Sequence, residues 1–276
     1  MEFKEDLIKS DLEYIWHPCS QMKDYEELKP IIIKEGKGPY LYDLDNKRYL
    51  DCVSSWWCNL FGHSNERLNN TLKNQVDKLE HVIFANFSNL PAIELSKRLI
   101  KLRGERLDKV FFCDNGSSAI EAAIKMSFHY NRQSGKEKKK RFIALEDAYH
   151  GETLGALSMG DLDIYSSVYK PLMIDVIRVK APNCYRCEFS KQRENCNCEC
   201  FFYMEEELKK YSEEISGVII EPLVQAAAGM KIYPALYLKK LREACDKYDV
   251  HFIADEIAVG FGRTGKMFAT EHGEVC

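Results

Sequence analysis

Three short apolar runs, residues 141–145 (Arg-Phe-Ile-Ala-Leu), 217–220 (Gly-Val-Ile-Ile) and 251–254 (His-Phe-Ile-Ala), are separated by loops and helical stretches. A strand whose successive side chains are all apolar is buried on both faces, which is the signature of a parallel sheet covered by helices on both sides. Residues 110–113 (Val-Phe-Phe-Cys) read as a fourth strand of this kind. Helices over residues 68–79, 92–101, 118–130 and 235–248 follow the apolar spacing of a half-buried helix. This alternation predicts an α/β fold with a mostly parallel sheet. The first sixty residues differ. Turn signals at residues 36–39 and at Asp45-Asn46 separate short β-rich runs at 31–33 and 40–42, which predicts a small β-rich arm. The expected organisation is an arm over residues 1–60 and a main domain over residues 61–276. Residues 135–140 (GKEKKK) read as a solvated loop.

With 276 residues, 45% of them hydrophobic, the chain has enough apolar mass for a substantial core and is not a disordered tail. Its 39 basic and 43 acidic residues give no electrostatic case for nucleic acid or an anionic membrane, so small molecules are the expected partners. No run approaches 18 apolar residues, and the first six residues (MEFKED) carry charge where a secretion signal is apolar. A cytoplasmic protein is expected. The eleven cysteines are odd in number and the chain is long enough to fold without staples, so most are expected as reduced thiols.

Ligands of open parallel sheets sit beyond the carboxyl ends of the strands. After residues 110–113 comes Asp114-Asn115-Gly116-Ser117-Ser118, a Gly-Ser turn opening a helix. Free amides, a hydroxyl and the positive helix end there suit a phosphate, although Ser117 or Ser118 with Glu121 also fits an ordinary capping box. After residues 141–145 come Tyr149, His150 and Gly151; Tyr149 is either a stacking platform or a half-buried loop aromatic. Glu221-Pro222 and then Gln225 follow the strand at 217–220. Asp255-Glu256 follow the strand at 251–254, and a carboxylate at the mouth of a buried strand needs a partner or serves as a cap. Together these pieces describe a pyridoxal phosphate pocket. Gly116 and Ser117 anchor the phosphate, Tyr149 covers one ring face, Ile257 presses on the other, and Asp255 keeps the ring nitrogen protonated.

The motifs Asn115-Gly116-Ser117, Tyr149-His150-Gly151, Glu221-Pro222 and Asp255-Glu256, with the following Gly-Phe-Gly-Arg-Thr-Gly, resemble those of the class III, fold type I aminotransferases over essentially the whole chain. Two further motifs, Ile15-Trp16-His17-Pro18 and Ser54-Ser55-Trp56-Trp57, resemble those of the adenosylmethionine-8-amino-7-oxononanoate aminotransferases of biotin synthesis. The resemblance implies the large domain of a fold type I pyridoxal phosphate enzyme, with an N-terminal β-rich arm belonging to its small domain, and a homodimer. It implies amino transfer to 7-keto-8-aminopelargonate with S-adenosylmethionine as donor. Trp57 would wall the pocket for the long apolar keto acid, with Tyr149 also at the substrate, and an aromatic face also suits the donor's sulfonium. Where many relatives have tyrosine after His-Pro, this chain has Cys19, so a hydroxyl contact is not carried over there.

The same resemblance places the Schiff-base lysine about thirty residues after the strand-end aspartate. The sequence ends at Cys276, twenty-one residues after Asp255, so no residue here is expected in that role. Lys266 falls too early. The C-terminal part of the fold is expected to be missing, and the chain alone to be inactive. Two alternatives remain: a class III aminotransferase acting on an ornithine-like donor or ω-amine, or a non-catalytic subunit that binds the coenzyme or an intact partner. Separately, Cys184, Cys187, Cys196 and Cys200, with Cys198 between the last two, have the number and one short spacing of a structural zinc site; reduced thiols and labile disulfides are the other readings.

Overall fold

The computed structural model describes residues 2–104 and 107–275. The chain divides into two compact units, Met1–Asn89 and Leu90–Cys276, later than the change of character near residue 60 in the sequence. Cys276 itself lies outside the described residues.

The first unit opens with a helix that the sequence reading did not anticipate, α1 (Glu2–Tyr14). It is followed by the expected meander, β1 (Ile33–Lys37), β2 (Tyr40–Asp43) and β3 (Arg48–Leu50), paired antiparallel in that order. Lys4 pairs with Asp45 and Lys29 with Glu5, tying α1 to the segments around the meander. Directly after β3, the single helical turn α2 (Ser54–Trp57) runs with the wrong hand: Ser54, Ser55, Trp56 and Trp57 have φ of 49°, 48°, 66° and 67°. Each such residue costs roughly 1–2 kcal/mol relative to the right-handed form, so the turn needs external support. Asp51 provides it. Its Oδ1 accepts the Ser55 N–H at 3.0 Å, and its Oδ2 accepts the Ser55 hydroxyl at 2.8 Å. The unit closes with α3 (Glu66–Val76), capped by the Asn65 side chain.

The second unit begins with α4 (Leu90–Arg103) and α5 (Gly116–Gln133). It then alternates through β4 (Arg141–Leu145), α6 (Leu154–Met159), α7 (Asp163–Ser166), β5 (Val176–Val179), α8 (Phe202–Tyr211), β6 (Ile215–Ile220), the small hairpin β7 (Val224–Gln225) and β8 (Lys231–Ile232), α9 (Ala235–Lys247) and β9 (His251–Ala254). The main sheet is parallel with order β5-β4-β6-β9, as expected. Residues 110–113 are not a strand. Val110 lines a cavity of about 400 Å³ together with Phe252 and Ala254 of β9. An apolar run becomes a strand only where a second backbone lies within hydrogen-bonding reach.

Alternation along β4 divides the core. Phe142 and Ala144 face Ile120 and Ile124 of α5 and Ala156 and Met159 of α6. Ile143 and Leu145 face Met204 and Leu208 of α8 and Leu238 and Leu241 of α9. In β6 the register slips between Ile215 and Gly217, so the pattern shifts by one and Ser216 is left to hydrogen bond rather than pack. Ser216 Oγ sits 2.8 Å from Ser127 Oγ and accepts from Asn131 Nδ2 at 2.9 Å, while Ser127 Oγ lies 2.9 Å from His251 Nδ1. At the same end of the sheet, buried Lys139 donates to the carbonyls of Ser212, Tyr248 and Asp249, where α8 and α9 finish. Among the described residues no helix is long and apolar enough to cross a membrane.

Replacing Lys139 with methionine, which keeps the stem and removes the donors, should lower unfolding stability by about 2–3 kcal/mol, read as a shift in urea midpoint at constant slope. Burial depresses the pKa of His251 below its usual value. The folded state therefore resists a proton that the unfolded state accepts. The contribution is complete above the unfolded pKa, about 6.5, and stability falls as pH drops below it; His251→Gln should flatten that part of the curve.

Candidate active site

In the sheet order, the chain leaves β4 toward β5 on one side and returns to β6 on the other, so a crevice opens between the carboxyl ends of β4 and β6. The segments that leave β4, β6 and β9 carry His150, Glu221 and Asp255 to this edge, and all three are buried. His150 Nδ1 donates to Asp255 Oδ2 at 2.7 Å, which leaves Nε2 as the other ring position; that atom is buried and has no partner among the described residues. Asp255 Oδ1 accepts the Ile257 N–H at 3.1 Å. Glu221 accepts the Tyr149 N–H at 3.1 Å on one oxygen and the Ala226 N–H at 2.9 Å on the other. Burial raises the pKa of Glu221, and the charge of Asp255 adds to this, against the lowering effect of His150 and the two amides. Tyr233 donates its hydroxyl to the Glu221 carbonyl, which locks the end of β6.

The mouth of α5 completes the site. Its N-cap is Asn115, whose side chain accepts the Ser118 N–H at 2.9 Å. The capping box expected from Ser117 or Ser118 with Glu121 is therefore not formed. Glu121 instead accepts from the Thr153 hydroxyl and from the amides of Gly155 and Ala156, capping α6. That leaves Gly116 and Ser117 in the first turn of α5, where amides lack intrahelical partners. Ser117 Oγ accepts the Glu152 N–H at 3.1 Å and retains its own proton to donate. A Cβ on Gly151, at φ +117°, would lie 2.2 Å from that hydroxyl, and one on Gly116 would lie 3.0 Å from Ile257 Cδ1. Both glycines thus keep the cup open and close to the end of β9. Tyr149 is half-buried, its ring 5.4 Å from that of Tyr165 and its hydroxyl donating to Glu152 at 3.1 Å.

Gly116, Ser117, Tyr149, Asp255 and Ile257 therefore all belong to one unit and to one edge of its sheet. Trp57 belongs to the first unit, where it closes α2. The link from Asp255 to His150 and the bracing of the Tyr149 backbone by Glu221 were missed in the sequence. The available signal was that each residue lies within five positions of the end of an apolar run. Glu256 turns out to do separate work: it accepts from the amides of Ala269 and Thr270 and caps the turn at Ala269–Gly273. Lys266 donates to the Glu271 carbonyl at 3.0 Å.

A zinc site is one of three readings of Cys184, Cys187, Cys196 and Cys200 in the sequence. These residues and Cys198 line one cavity of about 200 Å³, and among the described residues no three His, Cys, Asp or Glu side chains are grouped so as to hold a metal ion. Burial, reinforced by the neighbouring sulfurs, raises the thiols of Cys184 and Cys200 to about 11 and that of Cys198 to about 12. All five cysteines of this loop are free.

The family model described as aminotransferase class-III matches residues 21–276. The chain belongs to the class III aminotransferases. Among curated proteins it is similar to the adenosylmethionine-8-amino-7-oxononanoate aminotransferases of Helicobacter pylori, 47% identical over all of this chain and 61% of the relative, and of Geobacter sulfurreducens, 46% identical over 94% of this chain and 57% of the relative. Among solved structures it is similar to the enzyme of that name from Methanocaldococcus jannaschii, with TM-score 0.90, 41% identity and coverage of 98% of this chain and 59% of that one. An omega transaminase from Pseudomonas jessenii, solved in complex with PMP, matches with TM-score 0.90 at 32% identity over 98% of this chain and 60% of that one. The chain spans about three fifths of the length of these relatives. Class III aminotransferases use pyridoxal phosphate, and the open cup at Gly116 and Gly151 and the unpartnered His150 Nε2 suit such a group.

Gly151→Ala should force Ser117 away from Glu152. The expected result is a loss of about 2 kcal/mol in stability, from a side chain placed at positive φ and against a fixed neighbour, together with loss of coenzyme binding followed by absorbance.

Proposed function

We propose that this chain carries the coenzyme-binding part of a pyridoxal phosphate-dependent aminotransferase that makes 7,8-diaminopelargonate from 7-keto-8-aminopelargonate, with S-adenosylmethionine as amino donor. The observation that supports it most is the meeting of the α5 cup, Tyr149 and the His150–Asp255 pair at one sheet edge, in a chain whose relatives bear that name. In this reading the first-turn amides of Gly116 and Ser117, with the Ser117 hydroxyl, hold the phosphate. Tyr149 stacks on one ring face, Ile257 covers the other, and Asp255 accepts a hydrogen bond from the ring nitrogen and keeps it protonated. When bound, the coenzyme supplies the electron sink for amino transfer. His150 fixes which Asp255 oxygen stays available, and Glu221 fixes the backbone from which Tyr149 projects. Trp57 provides an apolar wall for the acceptor, and Tyr149, besides its place on the coenzyme ring, is a substrate contact in its own unit. The protein acts as a cytoplasmic homodimer on small molecules.

The likeness to an omega transaminase at TM-score 0.90 supports a second reading, transfer between an ω-amine and a small keto acid. Titrating the pyridoxamine phosphate-loaded chain with 7-keto-8-aminopelargonate and with pyruvate separates the two. Tight binding of the former, weakened about tenfold or more by Trp57→Ala, supports the first reading. Preference for pyruvate supports the second, and failure to bind pyridoxal phosphate at all removes both.

A further inference from the structure

Four successive residues with left-handed backbone, none of them glycine, do not persist without something that holds them. In α2, beside backbone bonds such as that from the Trp57 N–H to the Val53 carbonyl at 2.7 Å, the side-chain hold on Ser55 comes from one carboxylate. Asp51 follows β3 directly, and its own amide is fixed to the Pro39 carbonyl at 2.9 Å. Beyond the two bonds from Ser55, Asp51 Oδ2 accepts a third from His63 Nε2 at 2.9 Å, and Asn59 Nδ2 donates to His63 Nδ1 at 3.3 Å. His63 is anchored in turn by a backbone pair with Gly38, 2.8 Å and 3.0 Å, where the meander turns between β1 and β2. Glycine is required on both sides of that anchor: a Cβ on Gly62 would lie 2.8 Å from the Gly38 carbonyl oxygen, and one on Gly36 would lie 2.8 Å from the His63 ring. Both side chains of the central pair are largely shielded, Asp51 at 10% and His63 at 16% exposure. The bonds from Ser55, then that from His63, hold the Asp51 carboxyl down to about 2, so it is an acceptor at any working pH.

We propose that Asp51 and His63 are positioning residues whose function is to hold α2 in its left-handed form and so to aim the Trp56–Trp57 pair. The bonds run from a rigid meander through His63 to Asp51, and from Asp51 into the second residue of the turn. Trp57 lies two residues further along and receives its direction from that backbone. For recognition this fixes the wall against which a long apolar keto acid packs, a consequence that rests on the role given to Trp57 above; the clamp itself does not.

The test uses the full chain with Trp16→Phe and Trp56→Phe, which leaves Trp57 as the sole tryptophan. In Asp51→Asn the new amide group opposes the donors of Ser55 or His63. Trp57 emission should shift to longer wavelength and its acrylamide quenching should rise about twofold as the turn relaxes. Adding Ser54→Gly to that variant should return both values toward the parent, because glycine occupies left-handed backbone without strain. A residue that only adds stability would change the melting temperature but would not be rescued in this way. If Asp51→Asn does not fold, Ser55→Ala removes a single bond to the same carboxylate and should move emission in the same direction by less. Unchanged Trp57 emission in a folded variant, or failure of the glycine to restore it, overturns the proposal. Trp57→Ala is measured alongside for binding of 7-keto-8-aminopelargonate. Undiminished affinity there removes the substrate role of Trp57 and leaves the clamp to be judged on emission alone.

Discussion

The sheet edge depends on how two buried carboxylates find their donors, an imidazole for Asp255 and backbone amides for both. Burying Asp255 and Glu221 close together is unfavourable unless donors meet their oxygens, and those donors are His150 Nδ1 and the amides of Tyr149, Ala226 and Ile257. The bonds from Tyr149 to Glu221 and from His150 to Asp255 join the segment following β4 to the ends of β6 and β9, while those from Ala226 and Ile257 are local. The three strand ends are therefore located against each other by polar contacts that the apolar core, being non-directional, does not supply. The opposite end of the sheet follows the same logic with different residues, where Ser127, Asn131, Ser216 and His251 link α5, β6 and β9.

The parallel core was legible because β4 and β9 are apolar after their first residue: the runs at 141–145 and 251–254 coincide with these strands, and α9 ends one residue from its expected limit. Residues 110–113 carry the same pattern and form no strand, because composition reports burial and says nothing about whether a partner backbone is near. β5 escaped notice because Arg178 interrupts its apolar run, its guanidinium turned to the carbonyls of Met159 and Gly160 at the end of α6. α1 escaped because half of its residues are charged and its apolar positions are few, so there was little periodicity to read.

At the site, residue types were legible and connections were not. Gly116, Ser117, Tyr149 and Asp255 stand out for their chemistry and place in the chain. The bond from His150 to Asp255 spans 105 residues, and no local pattern encodes it. Glu121 shows the reverse error: three residues after Ser118 it looks like half of a capping box, but a glutamate can reach either its own helix start or a neighbouring one. Here the amides of Gly155 and Ala156 hold it. For the cysteine loop, spacing along the chain supplies the number of candidate ligands but not whether they converge.

The buried thiols give the molecule an internal clock. Cys245 is fully buried with its thiol raised to about 12, and Cys198 is nearly as secluded, whereas Cys19, Cys52, Cys58 and Cys113 are exposed. An alkylating reagent reaches the exposed group first and the secluded pair only when α8 and α9 part from the sheet. The order in which mass increments appear would thus record the opening of the second unit without any label introduced from outside.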